Sequence, residues 1–279
     1  MVSVLKQAVW RYDVLGWLLV ILFFLLSAFF NDRALSLSLI GAIGVIGLMF
    51  IIGLSVEVII ETIKDMKGLG TITGLLTNLP EALVVIVGLV NNDLLFANST
   101  PLGSNFINPI VLILGALLLK CLIFLIRIYP IYTMLTLLGT LAISGIFFYL
   151  PIDLYPYWLG ALLLITIPLF IARPSEVDED EALKERISRW WFFPAIIILT
   201  VCGYYLDPMV SFASEASSAP KGLIGFGVLA FLSSWPEFKT IFGLINREKY
   251  SAGLLNILIS NIVNLWLAGA GLVLFWIFA

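Results

Sequence analysis

Residues 76–81 of this chain read Leu-Thr-Asn-Leu-Pro-Glu, and residues 232–237 read Leu-Ser-Ser-Trp-Pro-Glu. We call these stretches the first motif and the second motif. Their glutamates, Glu81 and Glu237, are separated by 156 positions (237 − 81 = 156), and the same offset aligns polar and glycine residues downstream without a gap. It pairs Ser104 with Ser260, Asn105 with Asn261, Asn108 with Asn264 and Gly115 with Gly271. This agreement predicts an internal repeat.

The composition around the motifs is that of a membrane protein. Of the 279 residues, 61% are hydrophobic and 12% are charged, and the mean hydropathy is +1.11. A soluble domain carries about 25% charged residues. Because this chain has only half as many, it cannot cover a water-facing surface. We therefore predict an all-α integral membrane protein.

Apolar runs of about 20 residues, the length that spans the hydrocarbon core, indicate about nine transmembrane helices. The predicted spans are residues 14–31, 35–57, 69–91, 95–119, 131–150, 156–172, 190–206, 222–246 and 252–278. They form one membrane domain, with an N-terminal helix (residues 1–34), a first repeat half (35–150) and a second repeat half (151–279). The first span is placed like a signal peptide, but no convincing small-residue cleavage site follows it.

The lysines and arginines predict the orientation, because cytoplasmic loops retain them. With the N-terminus inside, twelve of the 15 lie on the inner side, Arg33 and Lys221 lie outside, and Lys239 lies within a span. We therefore expect a cell (inner) membrane protein with a cytoplasmic N-terminus and an external C-terminus. The loop 173–189 is then cytosolic, and we interpret its acidic run 178–181 as solvated rather than as a regulatory cation site.

In this orientation the two motif helices cross the membrane in opposite directions. The first follows an inner loop that contains Lys64 and Lys67, whereas the second follows an outer loop near Lys221. The two halves are therefore predicted to be inverted-topology repeats. Such repeats form the core of many secondary transporters, whose substrate site lies near the bilayer midplane where the repeats meet.

The two motif glutamates are the main candidates for function. A carboxylate within the hydrocarbon region costs about 2.5–3.5 kcal/mol on insertion scales. Glu81 and Glu237 each lie about midway along a predicted span, so each needs a proton, a basic partner or a shared cation. Inverted symmetry would bring them face to face, which favours a shared cation or protons over a structural salt bridge. Lys239, the nearest base in sequence, points about 200° around the helix from Glu237.

Oxygen donors precede each glutamate by three or four residues and so share its helix face. They are Thr77 and Asn78 in the first motif, and Ser233 and Ser234 in the second. Pro80 and Pro236 each remove a backbone donor and so free a carbonyl oxygen. Calcium takes oxygen ligands of these kinds and sodium uses similar ones, whereas softer metals find nothing suitable. For Ser104, Asn105, Asn108 and their repeat partners, hydrogen-bonded helix packing and direct ligation are equally open.

These motifs resemble the α-repeats of the cation/calcium exchanger superfamily, whose pattern is approximately G-T-S-x-P-E followed by G-N-x-x-G-S-N. The resemblance covers roughly residues 35–119 and 190–278. It implies that Glu81 and Glu237 bind calcium and the counter-ion in the middle of the membrane, with Thr77 and Ser233 as adjacent oxygen donors. The full set of candidate ligands is Glu81, Glu237, Thr77, Ser233, Asn78, Ser234, Thr100, Asn256, Asn105 and Asn261.

The chain departs from this pattern at several positions. Leu76 and Leu232 replace the leading glycines, and Ile259 replaces the glycine before the serine of the second repeat. Sodium/calcium exchangers often carry an additional acid in the second repeat, where this chain has Asn256. Two site carboxylates remain, which one divalent cation or two protons would neutralise.

We expect a secondary active cation antiporter that exchanges calcium for protons or sodium by alternating access. The long helices near residues 35–57 and 190–206 would slide against a rigid core of motif helices. Another divalent or monovalent cation on the same scaffold is the alternative, which the substitutions at Asn78, Thr100 and Asn256 favour. A remote alternative is an intramembrane hydrolase that uses the two carboxylates as acid and base.

The sequence excludes several other classes of function. The absence of histidine excludes a histidine base and His-ligated zinc or haem. The two distant cysteines, Cys121 and Cys202, support neither a disulfide framework nor a metal cluster. A net charge of −3 without a basic tract argues against nucleic-acid binding. We expect no cofactor, and the expected partners are inorganic cations and the lipid bilayer.

Overall fold

The computed structural model describes residues 11–62, 69–175 and 188–278, and these ranges are helical and contain no strand. The helices are α1 (Arg11–Phe30), α2 (Leu35–Thr62), α3 (Leu69–Leu76), α4 (Leu79–Val90), α5 (Leu94–Leu118), α6 (Leu122–Arg127), α7 (Pro130–Phe147), α8 (Tyr155–Ile171), α9 (Phe192–Ser217), α10 (Lys221–Leu223), α11 (Ala230–Asn246) and α12 (Tyr250–Phe278). A π-helical segment, Ile224–Leu229, joins α10 to α11. Short 3₁₀ turns, Ile152–Leu154 and Arg189–Trp191, precede α8 and α9. The predicted all-α fold is confirmed.

Eight stretches of the described chain are long and apolar enough to cross a membrane, and they match eight of the nine predicted spans. Large apolar side chains project outward from the bundle; Phe30 is 76% exposed and Leu164 is 78% exposed. Lipid is the environment that accepts such a surface. The chain is therefore an integral, multi-pass membrane protein.

The predicted span at residues 69–91 differs from the others, because it consists of two shorter helices, α3 and α4. Thr77 and Asn78 interrupt it, just before Pro80 in the first turn of α4. Proline has no N–H to bond to the carbonyl four residues earlier, so the helical ladder is broken at this point. The Asn78 side chain bonds to another carbonyl of α3, because its Nδ2 donates to the Gly74 carbonyl at 2.5 Å.

The helix ends follow the offset that relates the two motifs. Val90 ends α4 and Asn246 ends α11 (246 − 90 = 156), while Leu94 begins α5 and Tyr250 begins α12 (250 − 94 = 156). The bounds of α2 and α9 agree to within one residue of the same offset (192 − 35 = 157 and 217 − 62 = 155). The repeat therefore extends beyond the motifs to the surrounding helices of each half.

The two long helices α2 and α9 pack closely against each other. A Cβ built on Gly41 of α2 would lie 2.8 Å from the Ala213 Cα of α9. Buried apolar side chains of both helices, including Met49 and Val210, continue this contact in one hydrophobic cluster. The absence of a side chain at Gly41 is what allows the two backbones to approach.

Contacts between loops agree with the prediction that successive loops lie on alternate faces of the membrane. Arg33 Nε donates to Ser218 Oγ at 2.7 Å, which joins two regions predicted to be outside. Tyr129 donates to the Ser175 carbonyl at 3.2 Å, and both residues are predicted to be inside. Which face is cytoplasmic stays a prediction, and the acidic run 178–181 lies outside the described residues.

Candidate cation site

The two motif glutamates are completely buried. Glu81 lies in the first turn of α4 and Glu237 lies in the interior of α11, and both have 0% exposure. The break before α4 gives Glu81 a position at a helix N-terminus, where backbone N–H groups and the helix dipole favour negative charge. Glu237 has no helix start beside it, because the second motif lies inside a continuous helix. The two glutamates therefore differ in their backbone surroundings.

Hydroxyl groups contact each glutamate and also link the two halves; we call these side chains, together with Glu81 and Glu237, the glutamate cluster. Ser104 donates to Glu81 Oε1 at 3.0 Å, and Ser260 donates to Glu237 Oε1 at 2.5 Å. Thr77 of the first motif crosses to the other half and donates to Glu237 Oε1 at 3.2 Å. The Oγ atoms of Ser104 and Ser233 lie 3.4 Å apart, which is a second link between the halves.

Several oxygen atoms of this region have no hydrogen-bond partner although they are buried. They are Glu81 Oε2, Glu237 Oε2, Ser234 Oγ, Asn105 Oδ1 and Asn108 Oδ1. A buried polar atom without a partner is costly, and the cost is larger for a charged carboxylate. Within the described ranges neither glutamate forms an ion pair. A bound cation or a proton on each carboxylate is what would satisfy these oxygens.

The chemistry of the cluster fits a hard cation. Carboxylate, hydroxyl and amide oxygens are the ligands of calcium and of similar ions. In the part of the chain that the structure describes, no group of three or more His, Cys, Asp or Glu side chains is placed to hold a metal. Glu81 and Glu237 are the two carboxylates that these contacts bring into the cluster, and one divalent cation or two monovalent ions would balance their charge.

Two further predicted ligands, Asn78 and Asn261, are linked to Glu237 through Ser260. Asn78 Oδ1 is 3.1 Å from Ser260 Oγ, the atom that also contacts Glu237. Asn261 Oδ1 accepts a hydrogen bond from Asn108 Nδ2 at 3.0 Å, and the same Nδ2 lies 3.0 Å from Ser260 Oγ. The structure thus brings residues of both halves together around one carboxylate.

Two other predicted ligands, Thr100 and Asn105, donate their polar hydrogens to groups other than the glutamates. Thr100 donates to the Gly225 carbonyl of the π-helical segment at 3.2 Å. Asn105 Nδ2 donates to Ser144 Oγ of α7 at 2.8 Å. Ser234 and Asn256 are fully buried, and the Asn256 carbonyl oxygen would lie 2.7 Å from a Cβ built on Gly74. The hydrogen bonds of Thr100 and Asn105 thus join neighbouring helices and backbone rather than the carboxylates.

Helix α7 accepts a hydrogen bond from one asparagine of each half. Besides the bond from Asn105 to Ser144, Asn261 Nδ2 donates to Thr140 Oγ1 at 3.2 Å. Thr140 and Ser144 are four residues apart, so they lie on one face of α7. The sequence did not single out these two hydroxyls, because they lie beyond residues 35–119, the part of the first half that the motif resemblance covers. Their four-residue spacing in an apolar helix was the available signal.

For Ser104, Ser260 and Asn108 the sequence allows both packing and ligation. The structure places each serine against a glutamate and Asn108 against Ser260. Each serine follows the glutamate that it contacts by 23 residues. This constant spacing was visible in the sequence. Asn98 was not selected either; it is fully buried, and neither of its amide atoms has a hydrogen-bond partner.

Ile259 stands where the family pattern has a glycine, and a glycine on the facing helix, Gly74, provides the space instead. In the first half, Gly103 packs against Ala230, and a Cβ on it would lie 2.9 Å from Ala230 Cβ. The offset of 156 carries these two residues to Ile259 and Gly74, and these are also in contact: a Cβ on Gly74 would lie 3.2 Å from Ile259 Cβ. Since one partner is glycine at each contact, the helices can approach closely near both motifs.

Comparison with solved structures gives a similar fold. A structure described as the "Crystal Structure of H+/Ca2+ Exchanger CAX" matches with a TM-score of 0.51 and 18% sequence identity, over 96% of this chain and 75% of that chain. No protein-family model matches the chain, and no curated protein sequence matches it. The likeness concerns the fold, an all-helical membrane bundle.

Proposed function

We propose that this chain is a secondary active cation antiporter, which exchanges calcium for protons or sodium across the cell membrane. The observation that carries the proposal is the pair of fully buried glutamates, each with one oxygen held by hydroxyls and one oxygen without a partner. A bundle that only scaffolds other proteins gains nothing from burying two acids at such cost. The solved structure with a similar fold is described as an H+/Ca2+ exchanger, which supports the same class of function.

In the proposed cycle the two halves cross the membrane in opposite directions, with the N-terminus in the cytoplasm. The cluster around Glu81 and Glu237 binds the cation, and movement of α2 and α9 opens it to one side of the membrane at a time. Protons compete with the cation in the proton-coupled version, because protonation removes the charge that attracts it. Sodium competes for the same oxygens in the sodium-coupled version.

Transport assays with the purified chain in proteoliposomes test this proposal. Calcium flux is measured separately under an imposed pH gradient and an imposed sodium gradient. Glu81→Gln and Glu237→Gln keep the side-chain size, so loss of gradient-driven flux in both would reflect loss of charge. Thr200→Val serves as a control, since Thr200 bonds within its own helix on an exposed face. Normal flux in both glutamine variants would refute the assigned roles.

A different cargo on the same scaffold is the second candidate. The neutral side chains of Asn78 and Asn108 contact Ser260, which donates to Glu237, and such neutral neighbours make the cluster poorer in charge than an all-carboxylate calcium cage. Competition of other divalent and monovalent cations against calcium uptake distinguishes the two candidates. Flux of another cation combined with no effect of calcium would favour this second candidate.

A further inference from the structure

One hydrogen bond between the two halves is not repeated at the equivalent place. Asn108 of α5 donates from Nδ2 to Oδ1 of Asn261 in α12 at 3.0 Å. The repeat offset relates Asn108 to Asn264 and Asn261 to Asn105 (264 − 108 = 156 and 261 − 105 = 156). Asn264 is fully buried, but neither of its amide atoms has a hydrogen-bond partner, and Asn105 Oδ1 has none either. The bond is therefore formed at only one of two related positions.

The register of α5 and α12 places the unbonded pair level with each other. A Cβ built on Gly271 would lie 2.7 Å from Asn98 Oδ1. From there to the bonded pair, α5 advances by ten residues and α12 goes back by ten, so these repeat-related helices run antiparallel. Asn105 lies seven residues after Asn98, and Asn264 lies seven residues before Gly271. The two asparagines therefore occupy facing positions on the same seam.

Side-chain chemistry does not explain why one pair is bonded and the other is not, because all four residues are asparagine. The neighbouring bonds are present in both halves. Each repeated serine donates to the glutamate of its own half, and both Asn105 and Asn261 donate to α7. The two halves thus carry the same side chains at this seam in two different conformations.

The bonded pair is connected to the glutamate of the second motif. Asn108 Nδ2 also lies 3.0 Å from Ser260 Oγ, and Ser260 donates to Glu237. Because the amide supplies the proton for its contact with Ser260, the hydroxyl proton is available for the carboxylate. The offset makes Asn264 the residue that would support Ser104 in the same way. This support is formed in the second half and is not formed in the first.

We propose that Asn108 and Asn264 form a two-position switch. The bond from Asn108 to Asn261 is exchanged for a bond from Asn264 to Asn105 when the site opens to the other side of the membrane. This inference rests on the proposed function. If each half of an inverted repeat adopts the conformation of the other, the open side of the molecule is reversed. A bond that one half forms in one state is then formed by the other half in the opposite state.

The switch is compatible with the bonds to α7. Asn105 and Asn261 use their Nδ2 atoms for those bonds, whereas the exchange involves their Oδ1 atoms. Both can therefore stay attached to α7 while the donor changes from Asn108 to Asn264. The exchange moves the support of a serine from the second glutamate to the first, and so couples the seam to the glutamate cluster.

The test compares Asn108→Leu, Asn264→Leu and the double variant Asn108→Leu/Asn264→Leu in the full chain. Leucine is similar to asparagine in shape but has no amide. KM for calcium flux is measured on right-side-out and on inside-out membrane vesicles. A larger population of one state lowers KM on the side to which that state opens and raises KM on the other side.

We expect the two single variants to change the ratio of the two KM values by about fivefold in opposite directions, because each removes a hydrogen bond from a different state. The double variant should return to within about twofold of the wild-type ratio. Asn91→Ala is the control and should leave the ratio unchanged, since the exposed Asn91 side chain donates to the Val87 carbonyl of its own helix.

Other roles of these asparagines give different patterns. If both bind the cation directly, each single variant raises KM on both sides and the double variant raises it further. If both only pack the helices, the KM ratio stays constant while the amount of folded protein falls. Either result overturns the inference, as does a shift of the ratio in the same direction in both single variants.

A second pair of variants covers the case in which a leucine variant does not fold. Asn108→Ser and Asn264→Ser are then compared, because serine is too short to form the same bond. They must show the same opposite shifts of the KM ratio, and equal ratios in these variants and the wild type overturn the inference.

The proposed function fails on different evidence. Absence of calcium or other cation flux in the wild-type chain contradicts that function itself. Flux that Glu237→Gln abolishes, combined with an unchanged KM ratio in Asn108→Leu and Asn264→Leu, contradicts only the switch.

Discussion

Thr77 hydrogen-bonds to Glu237, the glutamate of the other half, at 3.2 Å between Oγ1 and Oε1. The residue lies in the interruption between α3 and α4, where the backbone leaves the regular helix. A continuous helix would direct the Thr77 side chain towards the face that it shares with Glu81. The interruption therefore helps to connect the two halves at the glutamate cluster.

We predict that Thr77→Val raises the calcium KM by about tenfold, because the variant leaves a buried carboxylate oxygen with one donor fewer. Valine has almost the same shape as threonine, so packing is largely preserved. Thr77→Ser retains the hydroxyl and should stay close to wild type. The measurement is concentration-dependent calcium flux in proteoliposomes, and equal KM values for Thr77→Val and wild type would contradict the prediction.

The two repeat-related serines should contribute unequally to stability. Ser260 contacts Glu237, Asn78 and Asn108, whereas Ser104 contacts Glu81 and Ser233. Ser260→Ala leaves more buried groups unsatisfied, so we expect it to lower the free energy of unfolding by about 1–3 kcal/mol, and more than Ser104→Ala.

Thermal unfolding of the purified protein in detergent measures this difference. Ser55→Ala is the control, because the Ser55 hydroxyl bonds only to the Ile51 carbonyl of its own helix. A larger loss of stability in Ser104→Ala than in Ser260→Ala would be the opposite of the expected order.

The close approach at Gly103 predicts a specific steric effect. A methyl group there would overlap the Phe226 carbonyl oxygen of the π-helical segment. Gly103→Ala should therefore force α5 away from that segment and lower the free energy of unfolding by about 1–3 kcal/mol. Gly243→Ala is the matched control, since nothing lies within 4 Å of its added Cβ. Gly243→Ala should be neutral or stabilise the helix by up to about 1 kcal/mol. Equal effects of the two substitutions would contradict the predicted steric overlap between residue 103 and Phe226.

The predicted orientation can be checked with two matched asparagines. Asn31 and Asn246 are both exposed and lie at opposite predicted faces. After replacement of Cys121 and Cys202 by serine, Asn31→Cys should react with a membrane-impermeant maleimide in intact cells. Asn246→Cys should react only after the cells are permeabilised. The reverse pattern would place the N-terminus outside.

The sequence predicted those features that depend on regular spacing. Apolar runs predicted the spans, and the offset of 156 aligned the helix bounds of the two halves because both halves carry nearly equal loops. The interruption at Thr77 and Asn78 was not predicted, since hydropathy averages over a whole span and does not register a local loss of backbone hydrogen bonds. Only Pro80 indicated it.

The contacts of α1 and α7 were missed for a different reason. Asp13 of α1 forms an ion pair with Lys239 of α11, in which Oδ2 and Nζ lie 3.1 Å apart. The two residues are separated by 226 positions (239 − 13 = 226), so no short-range pattern connects them. Their pairing follows from the packing of α1 against α11, which depends on the tertiary arrangement. The same holds for Ser144, which contacts Asn105 from a helix beyond the residues that the motif resemblance covers.

The two asparagine bonds to α7 limit where the molecule can deform. Asn105 and Asn261, one from each half, are fastened to hydroxyls a single turn apart on that helix. Because α7 belongs to the first half, a shear between the halves at this depth would have to stretch the bond from Asn261 to Thr140. Deformation that leaves both intact must be accommodated at boundaries such as the glycine contact between Gly41 and Ala213, where no polar bond has to rupture. We therefore expect a rigid interior beside a more deformable contact between α2 and α9, so that substitutions along this contact change Vmax for calcium flux more than KM.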